Sequence, residues 1–513
     1  MKTPQKNSIS LIKYLLFAAA PIFSLYLIFF VELDPKNPAI TATLAIAIWI
    51  AVWWVTEIVP IGITSLLPVV LFPLFGVMNG KAVSASYFNH IIFLFIGGFI
   101  VALAIQKWDL HKRIALVILN FIGNSPGKLL FGFMFTTAFL SMWISNTATA
   151  MLMVPIIISI IHKLEMINGK KAVQLFSIGL LLAIAYSASI GGIATLVGTP
   201  PNLSFARIFE IYFPNAPEIS FSKWMLFALP ISIIMFAITW LYLYFIFVKK
   251  ASSWKNVGSN ELRDDLRSLG KMSYEEKIVL TIFSLLAILW ITRANLTFGS
   301  LVIKGWANLF SNPTFFNDGT VAIIMAIILF IIPSKKNKGG FIMDWKTAEK
   351  LPWEIILLFG GGFALANGFK ASGLSTWFGN ELMFLGNISP FLLIIIISLL
   401  VTFLTEITSN TATVETLLPI LAGIAISLDI NPLLLMIPAT VSGSFAFMLP
   451  VATPPNAIIF GTKRVSILMM AKTGFVLNLV GIVVVALVTY YWGMNVFDID
   501  INVVPTWVEQ TLK

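Results

Sequence analysis

Ser145-Asn146-Thr147-Ala148-Thr149 lies in the middle of a long apolar run, and the same five residues return as Ser409-Asn410-Thr411-Ala412-Thr413. The offset, 264 residues from Asn146 to Asn410, holds around both copies: Gly97-Gly98-Phe99 is matched by Gly361-Gly362-Phe363, and Pro155 by Pro419. A polar cluster at the centre of a hydrophobic segment needs a reason. Its recurrence reads as two halves of one binding site in a chain that lies in a membrane.

Composition supports that setting. The 513 residues are 58% hydrophobic and only 11% charged, whereas a soluble chain carries about a quarter charged residues. Many apolar runs reach the roughly 20 residues that span a bilayer. The fold class is therefore all-α polytopic membrane protein, with about 11 transmembrane helices plus two re-entrant hairpins. Continuous apolar runs exclude an outer-membrane barrel, whose strands alternate. The absence of cysteine excludes disulfides and thiolate metal sites.

The candidate spans are 11–31, 39–57, 61–78, 90–106 with an extension to 122, 172–209, 223–248, 276–292, 318–333, 353–369 with an extension to 385, 432–462 and 465–493. Lys2 and Lys6 precede the run 11–31, which is too long for a signal-peptide core and is kept as a span. Two apolar segments do not fit as single spans. The segment 129–162, bounded by Lys128 and Lys163, is too long for one crossing and too short for two with a turn. A re-entrant hairpin turning at Ser145-Asn146-Thr147 fits it. The segment 390–428, opened by Pro390 and closed by Asp429, Asn431 and Pro432, reads the same way.

With a cytoplasmic N-terminus, this topology puts 24 of the 33 Lys and Arg on cytoplasmic flanks and 8 outside, with Lys472 inside the last helix. That bias follows the positive-inside rule and accounts for most of the +10 net charge without a nucleic-acid partner. The expected location is the cell inner (plasma) membrane. Five spans separate the two hairpins, so they enter from opposite sides. The expected organisation is an inverted-topology repeat: residues 1–38 as a span outside the repeat, 39–248 as the first unit, 249–275 as a cytoplasmic loop, 276–493 as the second unit and 494–513 as an extracytoplasmic tail. The stretch 293–317 reads as an external loop with partly interfacial helix. Inverted repeats place a substrate at their interface near the midplane.

Each hairpin tip supplies its own chemistry. The helix returning from the tip starts at the Ser-Asn-Thr cluster, where Asn and Thr are good N-caps. Its free N–H groups and positive dipole end favour an anion. Neutral oxygens beside the tip can hold a small hard cation. A second repeated element accompanies the first. Gly191-Gly192 and Gly198-Thr199-Pro200-Pro201-Asn202 interrupt 172–209, while Ser442-Gly443-Ser444 and Ala452-Thr453-Pro454-Pro455-Asn456 interrupt 432–462. Paired prolines remove backbone donors and break a helix, and the freed carbonyls become cation ligands. A single Ser-Asn-Thr in a membrane helix is more often interhelical glue, and a single Thr-Pro-Pro more often a kink. Recurrence of both elements in the same order argues against the bland reading.

These stretches, with Ser141-Met142-Trp143-Ile144 before the first cluster, resemble the divalent anion/sodium symporter family over nearly the whole chain. The resemblance implies a homodimer, each protomer with a scaffold domain and a mobile transport domain. It implies import of succinate, malate, fumarate or citrate, or of sulfate, with co-transported sodium. By that resemblance Ser145, Asn146, Thr147, Ser409, Asn410 and Thr411 bind the substrate, assisted by Thr199 and Thr453. One sodium sits near Ser141, Ser145, Asn146 and Gly198, and a second near Thr405, Thr408, Asn410 and Ala452.

Glu406 and Glu415 flank the second cluster where the first unit has Met142 and Met151. An intramembrane carboxylate is a functional candidate by default. A carboxylate facing a dianion would repel it, so for Glu415 a buried, hydrogen-bonded role is the favoured reading. His90, His111 and His162 lie near span ends without metal-ligand company, and no nucleophile–base pair or phosphate loop appears, so no enzymatic activity is expected. The competing readings are a sodium-independent dicarboxylate exchanger and, further off, an arsenite carrier or sodium/proton antiporter using Glu406 or Glu415.

Overall fold

Apolar helices that are hydrophobic all round must be buried in a bundle or face lipid, and the chain forms such a bundle. A computed structural model of the protein describes residues 11–122, 125–249, 259–298, 301–501 and 503–510. Lys2 and Lys6, part of the 249–275 insertion and the end of the 494–513 tail lie outside the described residues.

The chain opens with α1 (Leu11–Phe30) and α2 (Pro38–Thr56), packed on each other, with the Ser24 hydroxyl donating to Ala45 O at 2.7 Å. The short helices α3 (Ile61–Thr64), α4 (Leu67–Leu74) and α5 (Gly80–Ala85) follow. Then come α6 (His90–Lys107), whose first turn is capped by the Asn89 side chain, and α7 (Leu110–Ile122). Next are α8 (Pro126–Ser141), α9 (Asn146–Asn168), α10 (Lys170–Gly192), α11 (Pro200–Tyr212) and α12 (Phe221–Leu243). The insertion carries α13 (Ser259–Ser268), docked on α7. α14 (Tyr274–Arg293) starts at a capping box between Ser273 and Glu276.

After α15 (Asp318–Ile331) and α16 (Trp345–Ala348) come α17 (Trp353–Ser372), α18 (Leu374–Glu381), α19 (Pro390–Thr405), α20 (Asn410–Ser427), α21 (Leu433–Ser442), α22 (Pro454–Gly461) and α23 (Ile467–Val488). Eight of the described helices are long and apolar enough to cross a membrane. Shorter apolar pieces lie at 61–74, 318–331 and 433–442, while the candidate span 276–292 falls within the 20-residue α14. The stretch 293–317 holds a small antiparallel hairpin, Leu296–Phe298 against Leu301–Ile303, and two 3-10 turns. Helix was expected there, but β-branched and aromatic residues favour the paired strands.

Two apolar cores result. The smaller joins α2, α4, α17 and α18 through Ile46, Trp54, Phe72, Phe369 and Leu374. The larger draws on elements from α6 onward, with α10 at its centre: every residue from 176 to 199 is buried. Close approach of backbones requires small residues, and a Cβ on Gly191 would fall 2.2 Å from Ala138 O of α8.

The internal repetition is visible element by element. α8 and α19 are both 16 residues long, start at a Ser-Pro step and end at a hydroxyl residue. Residues 142–145 and 406–409 then leave the helix, and α9 and α20 start at Asn146 and Asn410. The helices around the first tip reach 126 and 168, past Lys128 and Lys163, because lysines near helix ends extend their ammonium groups outward without ending the helix. α10 and α11 are separated by residues 193–199, and α21 and α22 by 443–453. The units interlock. α11, which follows the first break, packs on α20, and α22, which follows the second, packs on α9 and α10.

Candidate functional site

Breaking a helix inside lipid orphans backbone groups at a cost of several kcal/mol each, so each break must be held by its own side chains. In the first unit Asn202 does this. Its Nδ2 faces Gly192 O (3.4 Å), Ile193 O (3.2 Å) and Thr195 O (2.7 Å). The Thr195 hydroxyl donates to Met142 O (2.5 Å) and accepts from Gly198 N (3.1 Å), fastening the break to the tip.

At that tip the Ser141 hydroxyl sits between Asn146 Oδ1 and Ala188 O, the latter at 2.8 Å. Two acceptor oxygens thus meet at one hydroxyl, and with its own Oγ they make a cluster of three. Such a cluster of neutral oxygens is the donor set of a small hard cation. Gly192 and Gly198 line it closely: a Cβ on Gly192 would lie 2.7 Å from Asn146 Oδ1, and one on Gly198 would lie 2.4 Å from Gly192 O. Ser145 caps α9, accepting from Ala148 N at 3.2 Å. Ser145, Asn146 and Thr147 are half-buried, whereas Gly198 and Thr199 are buried.

The second unit repeats the triad. The Thr405 hydroxyl lies 2.6 Å from Asn410 Oδ1 and 3.0 Å from Gly443 O. Asn456 Nδ2 donates to Ala446 O and Leu449 O, both at 3.0 Å. Thr453 caps α22 by accepting from Asn456 N. Ser409 makes no side-chain cap, so the first-turn N–H groups of α20 are left to another acceptor. Thr408 lies against Leu404 O (2.8 Å) and Thr413 Oγ1 (2.5 Å), not against Asn410. Ala452 N donates to Leu449 O within the break.

The geometry therefore brings Ser141, Asn146 and Gly198 together in one unit, and Thr405 and Asn410 in the other. Ser145 and Thr408 stand beside these groups, engaged elsewhere. Sequence reasoning gave Asn202 and Asn456 no role, although both close the repeated Thr-Pro-Pro-Asn element, which was the available signal. It also missed Asn478, a lone amide in an apolar helix with no sequence signal.

The Glu406 carboxylate accepts from Met448 N (2.8 Å), Leu449 N (3.0 Å) and Asn478 Nδ2 (2.7 Å). It anchors the longer second break through orphaned amides, so its partners are backbone and carboxamide N–H groups. Met142 occupies the corresponding place in the first unit, where Thr195 does the fastening.

Away from both tips, a cavity of about 320 Å³ opens where α6, α11 and α15 end, lined by His90, Glu210, Glu218, Asp318 and, from the first break, Leu196. Arg293 pairs with Asp318 and Glu218, each at 2.6 Å, and Arg207 pairs with Glu210 at 2.7 Å. Burial pushes the Glu218 carboxyl above the usual carboxylate range, while Arg293 opposes the shift. Its acids already have cationic partners, and among the described residues no cluster of His, Asp and Glu forms a metal site.

Residues 12–499 match the family described as the sodium:sulfate symporter transmembrane region. The sodium-dependent dicarboxylate transporter SdcS of Staphylococcus saprophyticus is 46% identical over 464 residues, covering 90% of this chain and 87% of that protein. SdcS of Staphylococcus aureus is 46% identical over 486 residues, covering 94% and 91%. Among solved structures, Neisseria gonorrhoeae MtrF has a similar fold, with a TM-score of 0.54 and 13% identity over 80% of this chain and 83% of that one. The Alcanivorax borkumensis YdaH transporter does too, with a TM-score of 0.53 and 13% identity over 79% and 86%.

Proposed function

The chain belongs to the sodium:sulfate symporter family, and on that premise we propose that it is a secondary-active importer coupling sodium to a C4-dicarboxylate such as succinate, malate or fumarate. The observation that carries the reading is the duplicated tip. Each unit presents a helix N-terminus at an Asn whose carboxamide oxygen meets, at one hydroxyl, a carbonyl of the neighbouring broken helix.

A C4-dicarboxylate has two charged ends, and two N-termini can take one each. In this reading Ser145, Asn146, Thr147 and Thr199 bind one carboxylate, and Ser409, Asn410, Thr411 and Thr453 the other. One sodium is held near Ser141, Ser145, Asn146 and Gly198, and the second near Thr405, Thr408, Asn410 and Ala452. The cations offset the buried dianion, which makes binding of the three mutually dependent. The names of the SdcS relatives support both sodium and dicarboxylate.

The proposal extends to an inverted repeat, a cytoplasmic N-terminus in the plasma membrane, a homodimer, and rigid-body movement of the tip-bearing domain against a scaffold. The interlocking of α11 with α20 and of α22 with α9 supports movement of both half-sites as one body.

The test is radiolabelled succinate uptake into proteoliposomes with and without an inward sodium gradient. Sodium-dependent uptake competed by malate is expected. Uptake that needs internal dicarboxylate but no sodium would favour an exchanger. Absence of succinate uptake would move the substrate to sulfate or citrate.

A further inference from the structure

Glu415 is fully buried and takes no part in either tip triad. It lies four residues past Thr411 on α20, hence on the same face one turn behind the second tip. Its Oε1 accepts from the Ser204 hydroxyl at 2.9 Å. Ser204 lies on α11 about one turn past Thr199. The contact thus joins the helix leaving the first break to the helix leaving the second tip, one turn behind both.

Two further observations single it out. A Cβ on Gly362 of α17 would fall 2.3 Å from Glu415 Cδ, so the carboxyl occupies space that only glycine leaves open. The related position in the first unit, Met151, is 62% exposed, so the α9–α22 interface has no such contact there. Glu415 forms no ion pair with any described residue. An unpaired buried charge is expensive, and among the described residues a single hydroxyl is its only hydrogen-bond donor, Oε2 having none.

We propose that the Glu415–Ser204 contact is a brace that fixes the first half-site against the second, acting through its hydrogen bond and not through charge. Glu415 is a positioning residue: it holds α20 against α11 so that the two cation sites and the two anion-binding helix ends stay in register. This rests on the symport reading above.

The experiment measures sodium activation of succinate uptake in proteoliposomes holding native protein, S204A, E415L, E415Q or S204A/E415L, with thermal unfolding as a check of folding. Losing the brace should raise the half-activating sodium concentration about tenfold, the change an ordinary hydrogen bond gives. It should also lower the sodium Hill coefficient, because the two sites are no longer held in one geometry. A merely structural role would change the amount of folded protein and leave the Hill coefficient alone.

The double variant should be no worse than either single one. E415Q, whose carbonyl also accepts from Ser204, should keep most of the native sodium dependence. Native-like curves for S204A and E415L would overturn the brace, and so would E415Q behaving as E415L does, since charge would then be what matters. The native protein separates the premises: sodium-independent behaviour there would contradict the symport reading, whereas native coupling with unaltered variants contradicts the brace alone.

Discussion

The two repeated units carry the same triad on different supports. At each tip a hydroxyl, Ser141 or Thr405, lies between the Asn carboxamide oxygen and a carbonyl of the neighbouring broken helix. Behind that shared geometry the units diverge. The first break, 193–199, is short and is fastened by Thr195 and Asn202. The second, 443–453, is longer and needs Glu406, Asn456 and Asn478. Ser145 caps its helix whereas Ser409 leaves the first turn open. The triads that would touch sodium and substrate are duplicated, and so is the carboxamide clamp of Asn202 and Asn456 on the carbonyls of each break. What is not duplicated is the remaining support, Thr195 in one unit and Glu406 with Asn478 in the other, which only has to take up whichever amides and carbonyls each break orphans.

The strongest way to break the comparison is to remove one triad at a time. N146A and N410A should each reduce succinate uptake to the level of empty vesicles while leaving the protein folded. On the proposed reading each would lose a charge-assisted contact of about 1.5–3 kcal/mol and one cation ligand. If one variant transports normally, the units are not equal partners in the site.

Glycine packing gives the next effect. G192A places a Cβ 2.7 Å from Asn146 Oδ1, an overpacking of about 1–3 kcal/mol, and should cut uptake severely. G461A meets nothing within 4 Å and should change stability by about 0.5 kcal/mol or less. Equal uptake by both would remove the argument for close approach at the first tip.

Glu406 sharpens the difference between supports. E406Q leaves one amide of the second break facing an N–H donor, a loss of about 1–3 kcal/mol. Thermal unfolding should fall accordingly, and M142Q, at the related first-unit position, should change little. Comparable losses in both would mean that the supports are not specialised.

The smallest effect lies at the periphery. Lys107 pairs with Asp344 at 2.5 Å, and that hydrogen bond holds the carboxyl below its usual range. A depressed value stabilises the fold above the ordinary carboxylate range, and the contribution fades as pH falls through the depressed value. D344N should therefore unfold slightly earlier than native protein at neutral pH and equally at strongly acid pH. Asp344 is nearly half-exposed, so the shift should be small.

The Ser-Asn-Thr pairs and the Thr-Pro-Pro-Asn pairs were legible in the sequence because polar residues in lipid stand out and repeat. They located both tips and both breaks within a few residues. The two spans 172–209 and 432–462 each proved to be two helices, since the extent of a break depends on which side chains take up its amides. Asn478 supplies one of those donors from α23, far away in sequence, and nothing in its apolar surroundings announced that. The role of Ser204 was equally hidden, because it depends on α11 meeting α20.

The central claim is that each half-site holds a sodium and both share one dianion. The direct measurement is the ratio of radiolabelled sodium to radiolabelled succinate entering the same proteoliposomes at early times, with the membrane potential clamped. The account predicts at least two sodium ions per succinate. A ratio of one or less would contradict it, because one of the two triads would then carry no coupled cation.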